Sequence, residues 1–361
     1  MRVLWVSHRD IKHQRAGGAE KAIYEIGRRL ASNGHSVTWY SVMDDRRVPE
    51  DIISNIKIKR HPNNVMAHVS LPLVLRREKP DVVVDDLGHA VPWGSEAFHV
   101  KGTVSFWHLH RRSLPGQVSM PMRILFSELE ALYPLIYRKF PFVTESESSK
   151  SDLVNLGINE SRLKVIPLGL NSEDFLNVPK SKSPTLVYFG GLRNYKRPWL
   201  SVNVLEEVVK KYPDSKLYVV GSGPSLERVG RSVIEKHLTR SVIFTGRLSE
   251  RDLKQLVGSS WANLHFSVTE GFGLSIIEAA ALGTPTVAFS VPGVSEAIVE
   301  EKNGMLVKDR DINEFTKVVI GIINSDPDSL RSSAVAVAKK YSWDSTAKQW
   351  DKHLENVLYG N

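Results

Sequence analysis

Short apolar runs alternate along the chain with segments of helical periodicity. The runs are rich in β-branched and aromatic residues and predict strands at residues 2–7, 36–42, 81–86, 103–108, 142–146, 163–169, 185–191, 216–223, 241–246, 262–267 and 284–290. Between them, the segment Ala19–Ser32 carries an apolar stripe that predicts a helix stopping before Gly34. This alternation favours parallel sheets covered by helices, the doubly wound α/β class.

The chain length and one polar stretch predict two domains. A length of 361 residues is more than twice the usual domain size of about 150. The polar, proline-containing stretch 171–184 is the predicted linker. We therefore expect one domain at residues 1–170 and a second at residues 185–342.

Composition excludes several classes of protein. Without cysteine the chain has no disulfide framework, thiolate zinc site or cysteine nucleophile. No run approaches the roughly 18 apolar residues of a membrane span, and the first ten residues turn polar too soon for a signal peptide. We therefore expect a cytoplasmic protein.

The net charge is concentrated in the first half. Residues 1–170 hold 24 Lys and Arg against 18 Asp and Glu, a net +6 of the total +8. The basic residues are neither clustered nor interleaved with aromatics, so nucleic acid is not an expected partner. The charge does not exclude an anionic acceptor or a membrane surface as a partner.

Ligands of doubly wound domains bind at the carboxyl ends of the strands. That rule brings together Gly17-Gly18, His108, Lys196, the turn at Gly221 and the loop at Glu270. A lone glycine pair is weak evidence, and "GSGPSLE" lacks the third glycine of a dinucleotide fingerprint. The pattern therefore argues against an enzyme that uses a nicotinamide dinucleotide.

The stretch 267–293 contains two unusual carboxylates. Glu278 stands in an apolar run with no basic residue along the segment, so a partner from outside the segment is expected. Glycines flank Phe272 just before the helix, and the free amides of a helix N-terminus bind phosphate. Carboxylates accept hydrogen bonds from hydroxyls. The pattern predicts that Glu270 binds sugar hydroxyls and Glu278 binds a ribose.

The segment "EGFGLSIIEAAALGTPTVAF", with seven residues between its two outer glutamates, resembles the family 4 retaining glycosyltransferases of the GT-B fold. The likeness covers nearly the whole chain, since "GGAEKAIYEIGRRLASNGHSVTWYS", "YKRP", "VVGSGP", "FTGRLSERDLKQL" and "YSWDSTAKQW" have counterparts in the same order. It implies two Rossmann-like domains that face a central cleft. The first would bind the acceptor and the second the nucleotide sugar, with residues 343–361 forming a helix that crosses back to the first.

The resemblance also implies roles for matching residues. His108, Lys196 and Glu270 would be catalytic: His108 and Glu270 would lie by the donor sugar, and Lys196 would offer positive charge to the departing diphosphate. Donor-binding residues would be Gly17, Gly18, Arg193, Arg197, Gly221, Phe272, Gly273, Leu274 and Glu278.

Two of these assignments have alternatives. His110 competes with His108, because "HLH" leaves the register open by two residues. Many family members carry an arginine at the position of Gly191, so Arg193 or Arg197 is expected to replace that charge.

The implied reaction is a sugar transfer with retention, from a nucleotide-diphosphate sugar to an acceptor hydroxyl. Cations and helix amides would stabilise the leaving diphosphate, so neither a metal nor a cofactor is expected. Asp85-Asp86 resembles the metal-binding pair of the other glycosyltransferase fold, but we interpret it as the end of a buried strand. The alternatives are a nucleotide-sugar epimerase of the same fold and a catalytically silent sugar-nucleotide-binding subunit.

The segment from Met120 to Phe140 has apolar residues at helical spacing and basic residues near its ends. The first interpretation is a helix that faces the core of the first domain. The alternative is an amphipathic surface that lies on an anionic membrane at its cytoplasmic face. In that case the acceptor would be a lipid-linked or surface glycan precursor.

Overall fold

The computed structural model describes residues 1–44, 48–326 and 328–360. The chain folds into two compact units. The first comprises Met1–Arg111, Met120–Gly169 and Trp343–Asn361, and the second comprises Arg112–Ser119 and Leu170–Ser342. The assignment of acceptor binding to the first and nucleotide-sugar binding to the second stays a prediction.

The first unit is built on an eight-stranded sheet in the order β3-β4-β2-β1-β5-β6-β7-β8. The strands are β1 Arg2–Val6, β2 Ser36–Val42, β3 Glu50–Ile53, β4 Ile56–His61, β5 Val82–Asp86, β6 Gly102–Phe106, β7 Phe142–Thr144 and β8 Leu163–Val165. All neighbours are parallel except β3 and β4. Four strands at the centre, β1, β2, β5 and β6, are mostly buried, as expected for a parallel sheet covered on both faces.

Helices cover this sheet. They are α1 Gly18–Ser32, α2 Asn64–Glu78, α3 His110–Ser113, α4 Met120–Ala131, α5 Tyr133–Ile136 and α6 Glu147–Asn155, with α3 passing into the second unit. The predicted stripe of α1 is buried in full, at Ala22, Ile23, Ile26 and Leu30. The helix therefore forms for the reason that the sequence indicates, an apolar face against the sheet.

The second unit has a six-stranded parallel sheet in the order β11-β10-β9-β12-β13-β14. Its strands are β9 Thr185–Phe189, β10 Lys216–Val220, β11 Val242–Gly246, β12 Ala262–His265, β13 Thr286–Ser290 and β14 Gly304–Lys308. Its helices are α7 Leu200–Lys211, α8 Leu226–Glu235, α9 Glu250–Ser259, α10 Leu274–Ala281, α11 Val294–Ala297, α12 Ile312–Asn324 and α13 Arg331–Ala338. Two Rossmann-like α/β units confirm the predicted fold class.

The last helix, α14 Trp343–Tyr359, returns to the first unit as expected. The ring of Trp350 lies 4.9 Å from that of Trp5 on β1, centroid to centroid. Asp344 pairs with Arg29 of α1 at 2.6 Å. The helix therefore completes the layer that α1 begins.

The structure corrects the core-facing interpretation for α4, whereas further along residues 120–140 it buries Tyr133, Tyr137 and Phe140 in the core of the first unit. On α4, the side chains of Met120, Ile124 and Leu125 are 60%, 54% and 50% exposed. The buried residue of this helix is instead Glu130, which accepts hydrogen bonds from the Arg111 amide at 3.2 Å and from Arg111 Nε at 3.0 Å. The apolar side of α4 thus faces outward.

No helix among the residues that the structure describes is long and apolar enough to cross a membrane.

Candidate active site

An ion pair lies at the carboxyl edge of the second sheet. Lys196 ends a short 3-10 turn after β9, and Glu270 lies in the loop between β12 and α10. Lys196 Nζ donates to Glu270 Oε1 at 2.7 Å. Ser267 Oγ donates to the same oxygen at 2.6 Å, and His265 Nε2 lies 3.4 Å from it. The structure therefore joins two residues that the sequence placed only near a common ligand site.

This contact fixes the charges of both groups. Burial alone would raise the pKa of the Glu270 carboxyl, but Lys196 and His265 outweigh burial and hold that pKa well below its usual range. Burial acts to lower the pKa of Lys196, and the Glu270 carboxylate outweighs it and raises the pKa. Both side chains are therefore ionised at neutral pH.

Sequence reasoning missed His265 and Ser267. His265 is the last residue of β12, and Ser267 follows two positions later. The signal was available, because the rule that selected His108, a polar residue at the carboxyl end of a predicted strand, also applies to His265.

The two candidate arginines have different surroundings. Arg197 donates to the carbonyls of Phe266 and Ser267 at 2.6 and 3.1 Å, and it pairs with Asp309 at 2.6 Å. The guanidinium of Arg193 makes no hydrogen bond or ion pair with any residue that the structure describes. This favours Arg193 as the second cation for a phosphate, while Arg197 holds the loop that carries Ser267.

The loop before α10 packs closely on a neighbouring turn. Phe272 is buried with its ring 5.3 Å from that of Tyr341, and Gly273 is the N-cap residue that precedes Leu274. A Cβ atom on Gly293 would lie 2.0 Å from the Glu270 carbonyl oxygen, so only glycine fits there. The Ile276 amide donates to the Gly273 carbonyl at 2.8 Å, while the two amides before it have no acceptor inside the helix and remain suited to an anion.

The structure corrects one expectation about Glu278. The side chain is partly exposed, and it already takes part in an interaction within the chain. The Glu278 carboxylate is therefore neither fully buried in its apolar surroundings nor isolated. Its contact with a ribose stays a prediction.

Gly221 has a structural reason to be glycine. Its φ of +128° lies in the left-handed region, and a Cβ atom would meet the Gly190 carbonyl oxygen at 2.0 Å. The turn after β10 thus packs directly on the turn after β9. A contact between Gly221 and the donor stays a prediction.

Packing within the chain does not require glycine at positions 17 and 18. A Cβ atom on Gly18 would meet no other atom within 4 Å, and one on Gly17 would meet Glu20 Oε2 at an ordinary 3.7 Å. The Gly17 amide donates to that same oxygen at 2.7 Å and so fixes the start of α1. Packing therefore leaves room for side chains at both positions, and close approach of a ligand to the two glycines stays a prediction.

The two candidate histidines follow β6, and their rings lie 5.0 Å apart. The His110 amide donates to Glu130, and its ring Nε2 lies 3.3 Å from the Leu87 carbonyl oxygen. His108 is partly exposed, and Trp107 before it is held by the Asp86 carboxylate at 2.6 Å. His110 is partly exposed as well, and both histidines take part in further contacts, so the choice between His108 and His110 stays a prediction.

Asp85 and Asp86 end the buried strand β5, as the sequence interpretation has it. Asp85 accepts from the Ser95 amide at 2.9 Å and from Tyr137 Oη at 3.0 Å. Burial raises the pKa of Asp85 to about 6 and that of Asp86 to about 7. Their oxygens thus hold neighbouring segments of the first unit in place.

The fold and the candidate site together define a class, the glycosyltransferases of the GT-B fold. Residues 172–341 match the family model "Glycosyl transferases group 1", and residues 16–174 match "Glycosyltransferase Family 4". The chain belongs to this glycosyltransferase family, and the two models together span residues 16–341.

Individual proteins show the same likeness. D-inositol 3-phosphate glycosyltransferase of Corynebacterium urealyticum is 28% identical over 50% of this chain and 44% of its own length. One subunit of the phosphatidylinositol N-acetylglucosaminyltransferase of Arabidopsis thaliana is 25% identical over 99% of this chain and 82% of its own length. The crystal structure of HepE of Anabaena in complex with UDP and glucose has a TM-score of 0.78 at 17% identity, covering 99% of this chain and 100% of that one.

The match is partial for several relatives. The chain spans only 27% to 49% of the length of four curated relatives, including the Corynebacterium urealyticum enzyme.

Proposed function

We propose that this protein is a retaining glycosyltransferase that moves a sugar from a nucleotide-diphosphate sugar to an acceptor hydroxyl. The observation that carries the proposal is the ion pair of Lys196 and Glu270 beside the N-terminus of α10. Membership of the family supports it, as does the presence of UDP and glucose in the HepE complex.

The chain's own groups supply the expected chemistry. The leaving diphosphate gains negative charge as the sugar–oxygen bond breaks. The Lys196 ammonium, the Arg193 guanidinium and the first amides of α10 would stabilise that charge. Glu270 keeps Lys196 ionised and in place, and it offers a carboxylate oxygen to the sugar hydroxyls. We therefore propose that the reaction proceeds without a metal or cofactor.

The test is a donor assay. A thermal-shift panel of nucleotide sugars should identify one that raises the melting temperature. With that donor and a hydroxyl acceptor, release of the nucleoside diphosphate is expected to persist in EDTA, and the product should keep the anomeric configuration of the donor. Three results would contradict the proposal: activity that EDTA abolishes, an inverted product, or a sugar epimer formed without release of diphosphate.

For the acceptor, we propose a lipid-linked or surface glycan precursor that the protein reaches as a peripheral enzyme at the cytoplasmic membrane face. The exposed apolar side of α4 and the +6 charge of residues 1–170 support this. A second helix of the same unit, α2, also exposes Val65, Val69 and Leu73, one turn apart. Apolar side chains and basic charge on one unit suit an anionic bilayer.

Liposome co-sedimentation checks the membrane proposal. The protein is expected to pellet with anionic vesicles but not with neutral ones, and added salt should release it. Changing Ile124 and Leu125 to glutamine should weaken binding about tenfold, because two exposed apolar side chains no longer insert. Ile234→Gln, a change at an exposed apolar position of the second unit, is the matched control. Equal loss of binding in the control variant, or no pelleting with either vesicle, would favour a soluble acceptor.

A further inference from the structure

A cavity of about 880 Å³ opens at the amino ends of β6, β7 and β8. The last turns of α14 form its other wall. From Gly102 in this cavity, β6 runs toward His108, and at about 3.3 Å per residue the histidine lies roughly 20 Å away. The cavity is therefore separate from the candidate active site.

The lining of this cavity carries a marked excess of positive charge. The charged side chains are Glu96, Lys101, Lys139, Arg162 and Lys164. Both oxygens of Glu96 already accept hydrogen bonds from the backbone amides of residues 138–140, at 2.8 to 3.0 Å. The one carboxylate of the lining is thus engaged by the backbone and acts on Arg162, which leaves the three lysines without a carboxylate of their own.

Lys164 is partly buried and lies near Lys352, a cation outside the lining. It forms no ion pair with any residue that the structure describes, and neither does Lys139. Lys101 Nζ donates to the Leu358 carbonyl, a neutral acceptor that leaves its charge uncompensated. Burial lowers the pKa of Lys164, and the positive charge of Lys352 lowers it further. An anion placed beside Lys164 would offset that repulsion, and Lys164 would attract the anion.

The arginine and the histidine of the cavity have fixed positions. Arg162 Nη2 donates to the Phe140 carbonyl at 2.6 Å. Because Thr103 Oγ1 donates to the Pro141 carbonyl at 2.9 Å, His353 Nε2 donates to Thr103 Oγ1 at 2.8 Å. These bonds anchor the walls, so the lysines are the groups that can turn toward a ligand.

The cavity also has apolar walls. Val100, Phe140, Leu163 and Val357 contribute to its lining. The volume exceeds what an inorganic ion needs and falls in the range of small-molecule pockets, about 300–1,000 Å³. A ligand that matches both features carries an anionic group and an organic body.

We propose that this cavity binds a phosphate ester, with the phosphate among Lys101, Lys139 and Lys164 and the organic body against the apolar walls. A phosphate offers three acceptor oxygens and at least one negative charge, which suits several ammonium groups at once. A soluble phosphate ester and the headgroup of a phospholipid both present this group.

Calorimetric titration of the full chain with glycerol 3-phosphate tests the soluble source. The double variant Lys139→Gln, Lys164→Gln is expected to bind about tenfold more weakly, since two charge-assisted contacts are lost. Lys348→Gln, at an exposed position of α14 outside the cavity, is the matched control and should bind like the wild type. Affinity retained in Lys196→Ala would separate this cavity from phosphate binding beside α10.

Vesicles of phosphatidylcholine with and without phosphatidic acid test the lipid source. If only the vesicles with phosphatidic acid bind, and the double variant loses that binding about tenfold relative to Lys348→Gln, the ligand is a lipid headgroup. The proposal is overturned if neither probe binds. It is equally overturned if the double variant and Lys348→Gln bind both probes alike.

Discussion

Lys196→Ala is expected to lower turnover about 10²- to 10³-fold while donor affinity falls less than tenfold. The reason is that the ammonium gains most when the leaving diphosphate acquires its charge, and less when the donor is merely bound. Its position 2.7 Å from Glu270 Oε1 holds it where that charge develops. Steady-state kinetics together with calorimetric donor affinities measure the two effects separately.

The control for this variant is another paired lysine of the second unit. Lys236 pairs with Glu206 at 2.6 Å and is partly buried, so Lys236→Ala removes a comparable ion pair away from the candidate site. Its turnover should match the wild type. If Lys196→Ala lost affinity and turnover equally, the lysine would be a binding residue with no special role in the transition state.

His108→Ala is expected to lower turnover about 10²-fold or more, with donor affinity and melting temperature nearly unchanged. His108 is partly exposed after β6, and Asp86 holds the residue before it through the Trp107 indole. Removing the imidazole should therefore remove a contact to the reacting sugar without disturbing the strand. Turnover at saturating donor, alongside calorimetry, measures this.

His110→Ala serves as the comparison. The hydrogen bond from the His110 amide to Glu130 survives the change, while the ring contacts with the Leu87 carbonyl and with His108 are lost. We expect a small effect on turnover and a modest effect on stability. A larger loss of turnover in His110→Ala than in His108→Ala would reverse the assignment of the two histidines.

Much of the fold could be predicted because the signals were local. The stripe of α1 and the continuous apolar run of β5 each determine an element from its own residues. Strands β3, β4 and β14 escaped prediction. β3 has only four residues and β14 opens on a glycine, so their signals are weak. In β4, isoleucine alternates with lysine, which is a strand signal that was overlooked.

The sequence named Lys196 and Glu270 as candidate site residues but did not predict that they contact each other. Lys196 and Glu270 are 74 residues apart, so no local pattern indicates that they pair. The sequence also could not show that the apolar side of α4 faces outward. Helical spacing shows that a stripe exists without showing which side faces the core. Arg197 likewise contacts Phe266, Ser267 and Asp309, which are far from it in the sequence, so no local pattern indicates these contacts.

The return of α14 to the first unit has a consequence for synthesis on the ribosome. The strands of the second unit, β9 to β14, all lie within residues 185–308 and can pair as soon as that stretch has emerged. The strands of the first sheet have all emerged by residue 165, but the cover of that sheet is completed later, since Trp5 is covered by Trp350 and Thr103 is bonded by His353 only after the last helix appears. The nascent chain would therefore finish its second unit before its first.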